Sequence, residues 1–409
     1  MFLECQPRTE GVEMPGTREL QPLLEDNTLR ALRERTGRSM SEYSLKERDF
    51  GSFFEVPFAQ YGPNSPYVSP FRSDLQKMLD GSLNPVFDDP DAISYFTVTK
   101  GGTPVGRITA HIHRRSNERY DERRGCFGFF DCADDLNAGR LLLNAAAEWL
   151  LRRGCDHMVG NFNLTAMQEM GVVVGGHEHA PFVGHHYNPS WIPGLLEDSG
   201  FEAYFPMTTW RLGLDGFDPE QLVGPKQREL ISSAEFTIEP IMRRRFRVAM
   251  EATWSLLNDS FEQNPLFVPL TEAEFKYQAD QMLVVFDPRV SCLAKVGGEP
   301  VGVVVCLPDV NPLLRATRSR LQLSTPWHYM RFLRSRARAS LIFGGVRRDH
   351  QDRGVAGITL RHAITGMQRA GYRELGVSWV SDSNGPSLRQ MEKLGAEPRH
   401  RLNLFRKEL

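Results

Sequence analysis

The chain has 409 residues, 41% of them hydrophobic and 24% charged, with 49 Lys and Arg against 51 Asp and Glu. That length accommodates two or three domains with real cores, and a net charge of −2 excludes a generally basic nucleic-acid coat and an acidic disordered chain. Six Cys, at 5, 126, 132, 155, 292 and 306, form no CxxC pair, no apolar run approaches the ~20 residues of a membrane span, and no signal peptide opens the chain. A soluble cytoplasmic protein with reduced thiols, no metal and no membrane partner is therefore expected.

Residues 1–45 carry charges and turn formers around one weakly amphipathic stretch at 20–32, which reads as an extension. From 53 onward short β-rich runs alternate with long helical ones, the pattern of an α/β fold. Runs 93–100 and 105–112 flank Gly101-Gly102, a hairpin turn in which the Gly pair takes positive φ and Pro104 opens the return strand. A helix is predicted over 136–153, ending at Gly154. The stretch 163–188 that follows has the length of a functional loop and holds His177, His179, His185 and His186 ahead of Tyr187. A metal site, a substrate pocket and polar loop packing all fit those histidines, with His177, His179 and Tyr187 as the substrate-side candidates.

Strand-type runs return at 291–296 and 301–307 about Gly297-Gly298. Residues near 313–340 interleave Arg with Leu314, Leu321, Leu323, Trp327, Tyr329, Met330, Phe332 and Leu333, which predicts one or two amphipathic helices. A strand over 340–345, a helix over 355–370 with Val355, Ile358, Ala363, Ile364 and Met367 on one face, and a strand over 375–380 complete the pattern.

The turn Gly101-Gly102-Thr103-Pro104-Val105-Gly106 recurs 196 residues later as Gly297-Gly298-Glu299-Pro300-Val301-Gly302. The block 197–202 recurs with an offset of 195 at 392–397. Two blocks nearly a hundred residues apart whose offsets differ by a single residue imply one unit duplicated, with insertions at different points. The domains expected are a 46–218 copy and a 219–409 copy behind the 1–45 extension.

Chemistry concentrates between the 340–345 strand and the 355–370 helix, in Val346-Arg347-Arg348-Asp349-His350-Gln351-Asp352-Arg353-Gly354-Val355-Ala356. A strand, a polar loop and a helix opening at Gly place unpaired backbone N–H groups and the helix dipole where they attract an anion. Gly354 leaves room for close approach, and Arg347 and Arg353 add cations, so the loop reads as a phosphate cradle.

Here the sequence resembles the GNAT acetyltransferase superfamily. Gln351, Gly354 and Ala356 match its signature, Val346 stands at the expected distance before it, and Asn384, Ser387 and 392–396 match its downstream block. The resemblance is closest over 235–409 and degenerate over 50–214. It implies two tandem GNAT-like domains, each a twisted, mixed and mainly antiparallel sheet flanked by helices, with acyl-CoA as co-substrate. It also implies that Val346, Arg347, Gln351, Arg353, Gly354, Val355 and Ala356 hold the coenzyme pyrophosphate and pantetheine, that Asn384 touches the cofactor arm, and that an amine attacks the thioester. The family's frequent Tyr acid is replaced by Met391, so the catalytic candidates are Asp382, at a strand end, and Asn384. In the first copy Asp131, Asp134 and Asp135 stand where a diphosphate would sit, and repel it.

The function expected is transfer of an acetyl or other acyl group from acyl-CoA to a small-molecule amine. Two other readings stay open. Residues 313–353 carry ten Arg and two Asp, so an aminoacyl-tRNA-dependent transferase is one, the same region otherwise serving as a lid over anionic ligand or as a solvated face. A non-catalytic CoA-binding or ligand-binding protein is the other.

Overall fold

The structure is a computed structural model that describes residues 42–87, 89–262 and 266–409. All but the end of the extension read over 1–45, including its amphipathic stretch, lies outside these residues. The strands are β1 (Tyr43–Glu47), β2 (Ile93–Lys100), β3 (Thr103–His111), β4 (Arg124–Cys132), β5 (His157–Gly160), β6 (Phe162–Asn163), β7 (Glu169–Met170), β8 (Val172–Gly175) and β9 (Glu202–Gly213) in the first half. In the second half they are β10 (Phe236–Pro240), β11 (Cys292–Val296), β12 (Glu299–Pro308), β13 (Arg338–Val346), β14 (Glu374–Ser381) and β15 (Glu397–Glu408).

Both Gly pairs turn as their sequence requires: Gly101, Gly102, Gly297 and Gly298 all have positive φ, and each pair closes an antiparallel hairpin, β2–β3 and β11–β12. Alternation then sorts the side chains. Val304 and Cys306 of β12 pack beneath the helix Val355–Arg369, whereas Val303, Val305 and Leu307 pack beneath Phe246–Phe261 on the opposite face. The first half repeats the arrangement with the helix Leu136–Leu151 on one face and Phe50–Gln60 on the other.

The halves share one sheet. Its order is β1-β2-β3-β4-β5-β15-β9-β14-β13-β12-β11-β10, with β8 added beside β15. Each half builds five strands in the same order and takes its sixth from the other: β15, the last strand of the chain, pairs antiparallel with β5, and β9 pairs antiparallel with β14. β9 and β15 pair with one another at the centre. The duplication is thus an exchange about a pseudo-twofold axis, and the two sheets implied by the resemblance are fused edge to edge.

The segments joining the third and fourth strands of each half obey the same symmetry. The helix Arg114–Tyr120 reaches the second half, where Arg115 pairs with Glu274 and the Tyr120 hydroxyl donates to the Phe267 carbonyl at 2.7 Å. The helix Asn311–Thr317 and the residues after it reach the first half, where Arg320 pairs with Glu55 and Ser319 Oγ donates to the Ser69 carbonyl.

An isolated 219–409 fragment would lack β9 and leave β14 and β15 with unpaired edges. Expressed alone it is expected to aggregate or to show no cooperative unfolding by circular dichroism, while co-expression with 1–218 restores a soluble heterodimer. A fragment that melts cooperatively by itself would contradict the exchange.

Candidate functional site

In the second half β13 and β14 run parallel from Arg338↔Glu374 to Leu341↔Val377 and then part. A bulge lies on each side of the parting. Ile342 is the extra residue of β13 against β12, and Ser378 and Trp379 together face one residue of β9. Bulges bend strands, so the V-shaped opening is built into the local backbone. Arg347 N–H bonds the Val301 carbonyl, so alternation turns the N–H groups of Val346 and Gly344 away from β12, toward the opening. The Val346 carbonyl is already taken, by Ser260 Oγ at 2.8 Å and Gln351 Nε2 at 3.3 Å.

The opening holds a cleft lined by Ile342, Phe343, Ser378, Trp379, Phe261, Phe267 and, from the first half, Ala166, Met167 and Gln168. A second cavity shares Ala166, Met167 and Leu266 with the first and is also lined by His113, Arg115, Arg124 and Glu274. The walls at the junction are apolar, and among the described lining residues of the cleft none titrates.

At the far end of β13 the loop leads into the helix Val355–Arg369, whose N-cap is Gly354 at φ +92° with no side chain capping the first turn. Arg347 is forked onto Asp349 at 2.7 and 3.0 Å, and with His350 it holds that carboxyl well below the usual range. Arg353 is exposed. The linker helix Pro225–Ser232 borders the loop: Lys226 Nζ donates to the Asp352 carbonyl at 3.4 Å, and Gln227 lies 3.0 Å from where a Gly354 side chain would begin. The close approach that Gly354 permits is therefore that of Gln227.

The first half has the same parting and fills it. β4 and β5 pair only from Arg124↔His157 to Cys126↔Val159, and Phe129 and Phe130 form the bulge against β3. Their amides are occupied: Asn163 Oδ1 accepts from Phe129 N–H at 2.8 Å and Asn161 Oδ1 from Phe130 N–H at 3.2 Å. The Phe162 backbone lies against Gly128 so closely that no side chain could stand there. The helix Leu136–Leu151 is capped by its own anion, Asp135, which accepts from Asn137 and Ala138 N–H and is met by Lys100 at 3.1 Å. Asp131 is buried and bonded by Arg107, itself 1% exposed, whose other nitrogens reach the Phe53 carbonyl and the Tyr67 hydroxyl. Of the three carboxylates in this loop, only Asp134 faces solvent.

The profile of the Acetyltransferase (GNAT) family matches residues 250–396, the half with the open cleft. A tandem GNAT protein from the clavulanic acid biosynthesis pathway superposes with a TM-score of 0.54 at 15% identity, covering 89% of this chain and 98% of that one. Residues 250–396 thus carry the match to that family, and the chain as a whole shares the tandem GNAT fold. In sequence it is 27% identical over 367 residues to the bacterial ceramide synthase of Caulobacter vibrioides, covering 87% of this chain and 94% of that protein. It is 26% identical over 380 residues to protein YghO of Escherichia coli, covering 89% and 94%.

Within the GNAT frame, Val346, Arg347, Gln351, Arg353, Gly354, Val355 and Ala356 lie together along the end of β13 and the loop that follows it. Asn384 is the N-cap of the helix Gly385–Lys393, its Oδ1 accepting from Ser387 N–H at 3.2 Å. Asp382 is partly exposed, 3.9 Å from Arg401, and is not in the cleft lining. Met391, at the usual Tyr position, is buried in the core and holds no proton to give. The histidines do not converge: His177 bonds the Val173 carbonyl, His179 contacts Arg399, His186 lies 3.9 Å from Glu169, and His185 is buried with both ring nitrogens unpartnered. Among the described residues no His, Cys, Asp or Glu group is placed to hold a metal. From the 163–188 insertion it is Ala166, Met167 and Gln168 that reach the cleft, and nothing in their residue types marks them; only the length of the insertion does. Tyr187 and the histidines stay outside its lining. Ser260, Lys226 and Gln227 likewise carry no sequence signal.

Replacing Asp131 with Ala strands the buried Arg107 guanidinium and is expected to cost about 3–5 kcal/mol by urea unfolding. Burial pushes His111 down to about 4, and His113 and His185 down to about 3. His113 Nδ1 also accepts the Ser116 N–H and must stay unprotonated to do so. Below about 6.5 the unfolded chain takes up protons that these three refuse when folded, so stability falls from pH 6.5 toward 4 and is flat above. Melting temperatures across that range should fall less steeply for His111→Gln, provided the variant folds.

Proposed function

We propose that the chain is an acyl-CoA-dependent N-acyltransferase whose donor carries a long acyl chain and whose acceptor is a long-chain amine. The observation that carries this reading is the largely apolar lining of the cleft at the β13–β14 parting and of the second cavity that shares Ala166, Met167 and Leu266 with it, a surface that suits an alkyl chain. The printed name of the Caulobacter relative, a ceramide synthase, points the same way.

The pyrophosphate is taken to rest on the uncapped first turn at Gly354, where the helix dipole favours an anion. The thioester then lies along the open edge of β13, its carbonyl oxygen toward the N–H groups of Gly344 and Val346. The amine nitrogen attacks the carbonyl carbon, the C–S bond breaks and CoA leaves as thiolate, while the amine proton passes to solvent. With no titratable group in the described cleft lining, rate enhancement comes from positioning and from backbone donors at the developing oxyanion. The first copy, with its amides and helix N-terminus already bonded, contributes a wall and not a second cofactor site.

Ala166→Phe fills the junction of the two cavities. It is expected to lower kcat/KM for a sixteen-carbon acyl-CoA by roughly tenfold or more, the scale of ~1.4 kcal/mol per decade, while a two-carbon donor changes little. Equal loss for both donors, or wild-type preference for acetyl-CoA, would remove the long-chain reading. Calorimetry should give one CoA per chain.

A further inference from the structure

The segment between β12 and β13 is longer than symmetry requires. The helix Asn311–Thr317 and the residues to Arg320 dock on the first half as Arg114–Tyr120 docks on the second. The remainder, 321–336, has no counterpart, and it contains the helix Thr325–Arg334, of which only Phe332 is buried.

Its apolar residues face water. Leu321 is 71% exposed, Leu323 fully exposed, Trp327 60% and Met330 46%, and Val284, whose carbonyl accepts from the Tyr329 hydroxyl, adds another at 64%. Isolated exposed apolar residues are ordinary, but five on adjoining segments, one of them Trp, form a patch. Residues 310–348 hold nine Arg and no Asp or Glu. Most of these Arg have structural partners: Arg315 the Pro66 carbonyl, Arg320 Glu55, Arg336 Asp287, Arg338 Asp309 and Glu374. Arg331 and Arg334 are exposed, each four residues after an exposed apolar side chain, Trp327 and Met330. That spacing puts apolar body and cation side by side on one helix face. The acid that faces this element from the core, Asp287, is already held by Arg289 and Arg336.

The patch begins at the start of β13, whose nine residues span roughly 30 Å to the Gly354 loop at its other end, so a lid over the cofactor phosphates is ruled out. Arg of this kind would also suit RNA, but RNA gives no reason for Leu321, Leu323 and Met330 to stand in water. We propose that residues 321–334 dock the protein on the surface of an anionic phospholipid bilayer, with Leu321, Leu323, Trp327 and Met330 entering the headgroup–acyl boundary and Arg331 and Arg334 meeting the phosphates. No helix among the described residues is long and apolar enough to cross a membrane, and surface docking requires none. The inference does not rest on the choice of acyl donor, because its readout is adsorption and not turnover.

Sedimentation of the full chain with phosphatidylcholine vesicles and with equimolar phosphatidylcholine and phosphatidylglycerol vesicles tests it. Binding is expected to the mixed vesicles, at least tenfold stronger than to phosphatidylcholine alone, and weakened by salt. Leu321→Ser, Leu323→Ser and Trp327→Ser together should reduce it at least tenfold with an unchanged melting temperature, since the three side chains are exposed. Arg331→Gln with Arg334→Gln should abolish the preference for the anionic lipid. Wild-type protein left in the supernatant of both vesicle types overturns the proposal, as does a triple-Ser variant that still sediments. Tighter binding to poly(A) than to the mixed vesicles at equal salt would assign the patch to RNA, and a dimer that the triple substitution dissociates would assign it to self-association.

Discussion

Backbone pairing at the centre of the sheet constrains everything else in this molecule. β5 and β14 each need a neighbour on the side away from β4 and β13, and in each case the neighbour comes from the other half of the chain. Because β9 lies between β14 and β15, the two partings of the sheet are held in fixed relation across a pseudo-twofold axis. The 163–175 segment, which belongs to the first half, is thereby carried to the second half's cleft. An unexchanged pair of domains would leave that wall to an interface between independent bodies, far less rigid than a continuous ladder of hydrogen bonds.

Duplication supplied two partings, and their chemistry has diverged through small local changes. In the first, two Asn side chains satisfy the amides at the bulge, a two-residue strand fills the gap, and Asp135 satisfies the helix N-terminus. In the second, the N-cap is a glycine without side-chain bonds and the strand edge faces a cavity. A buried amide or helix end must find a partner, internal or external. The first copy has found internal ones, and in the second copy the same groups carry no side-chain cap and border the cleft.

The parts of this architecture that were legible in the sequence are those encoded by local geometry. Gly pairs mark the hairpins, the Gly354 signature marks the strand–loop–helix, and two nearly equal offsets mark the duplication. The exchange of β9 and β15 was not legible, because a strand's pattern of side chains specifies that it pairs and which face it buries, not which half of a repeat it joins. The cleft wall was legible only as an insertion of unusual length. Ala166 and Met167 are ordinary residues brought to the cleft lining by where the exchanged strands put them, whereas His177, His179 and Tyr187, chemically conspicuous in the sequence, bond Val173, Arg399 and the His177 carbonyl outside it.

Plugging one copy also changes what the other can accommodate. A self-contained cleft ends where its own two strands close, but here the apolar space passes between halves, bounded by Leu266 and Val268 on one side and by Leu164 and Met167 on the other. The Arg115–Glu274 pair, which ties the Arg114–Tyr120 helix to the second half, is part of its lining. The equivalent connection on the other side, Asn311–Thr317, performs the same tie and then continues into the exposed segment at 321–336. Two connections related by symmetry have thus acquired opposite characters, one lining an apolar cavity between the halves and the other turning apolar side chains outward. On the reading proposed above, both devices would serve the same physical need of a substrate with little affinity for water, one by lining its site with apolar side chains and the other by bringing the protein to where such molecules reside.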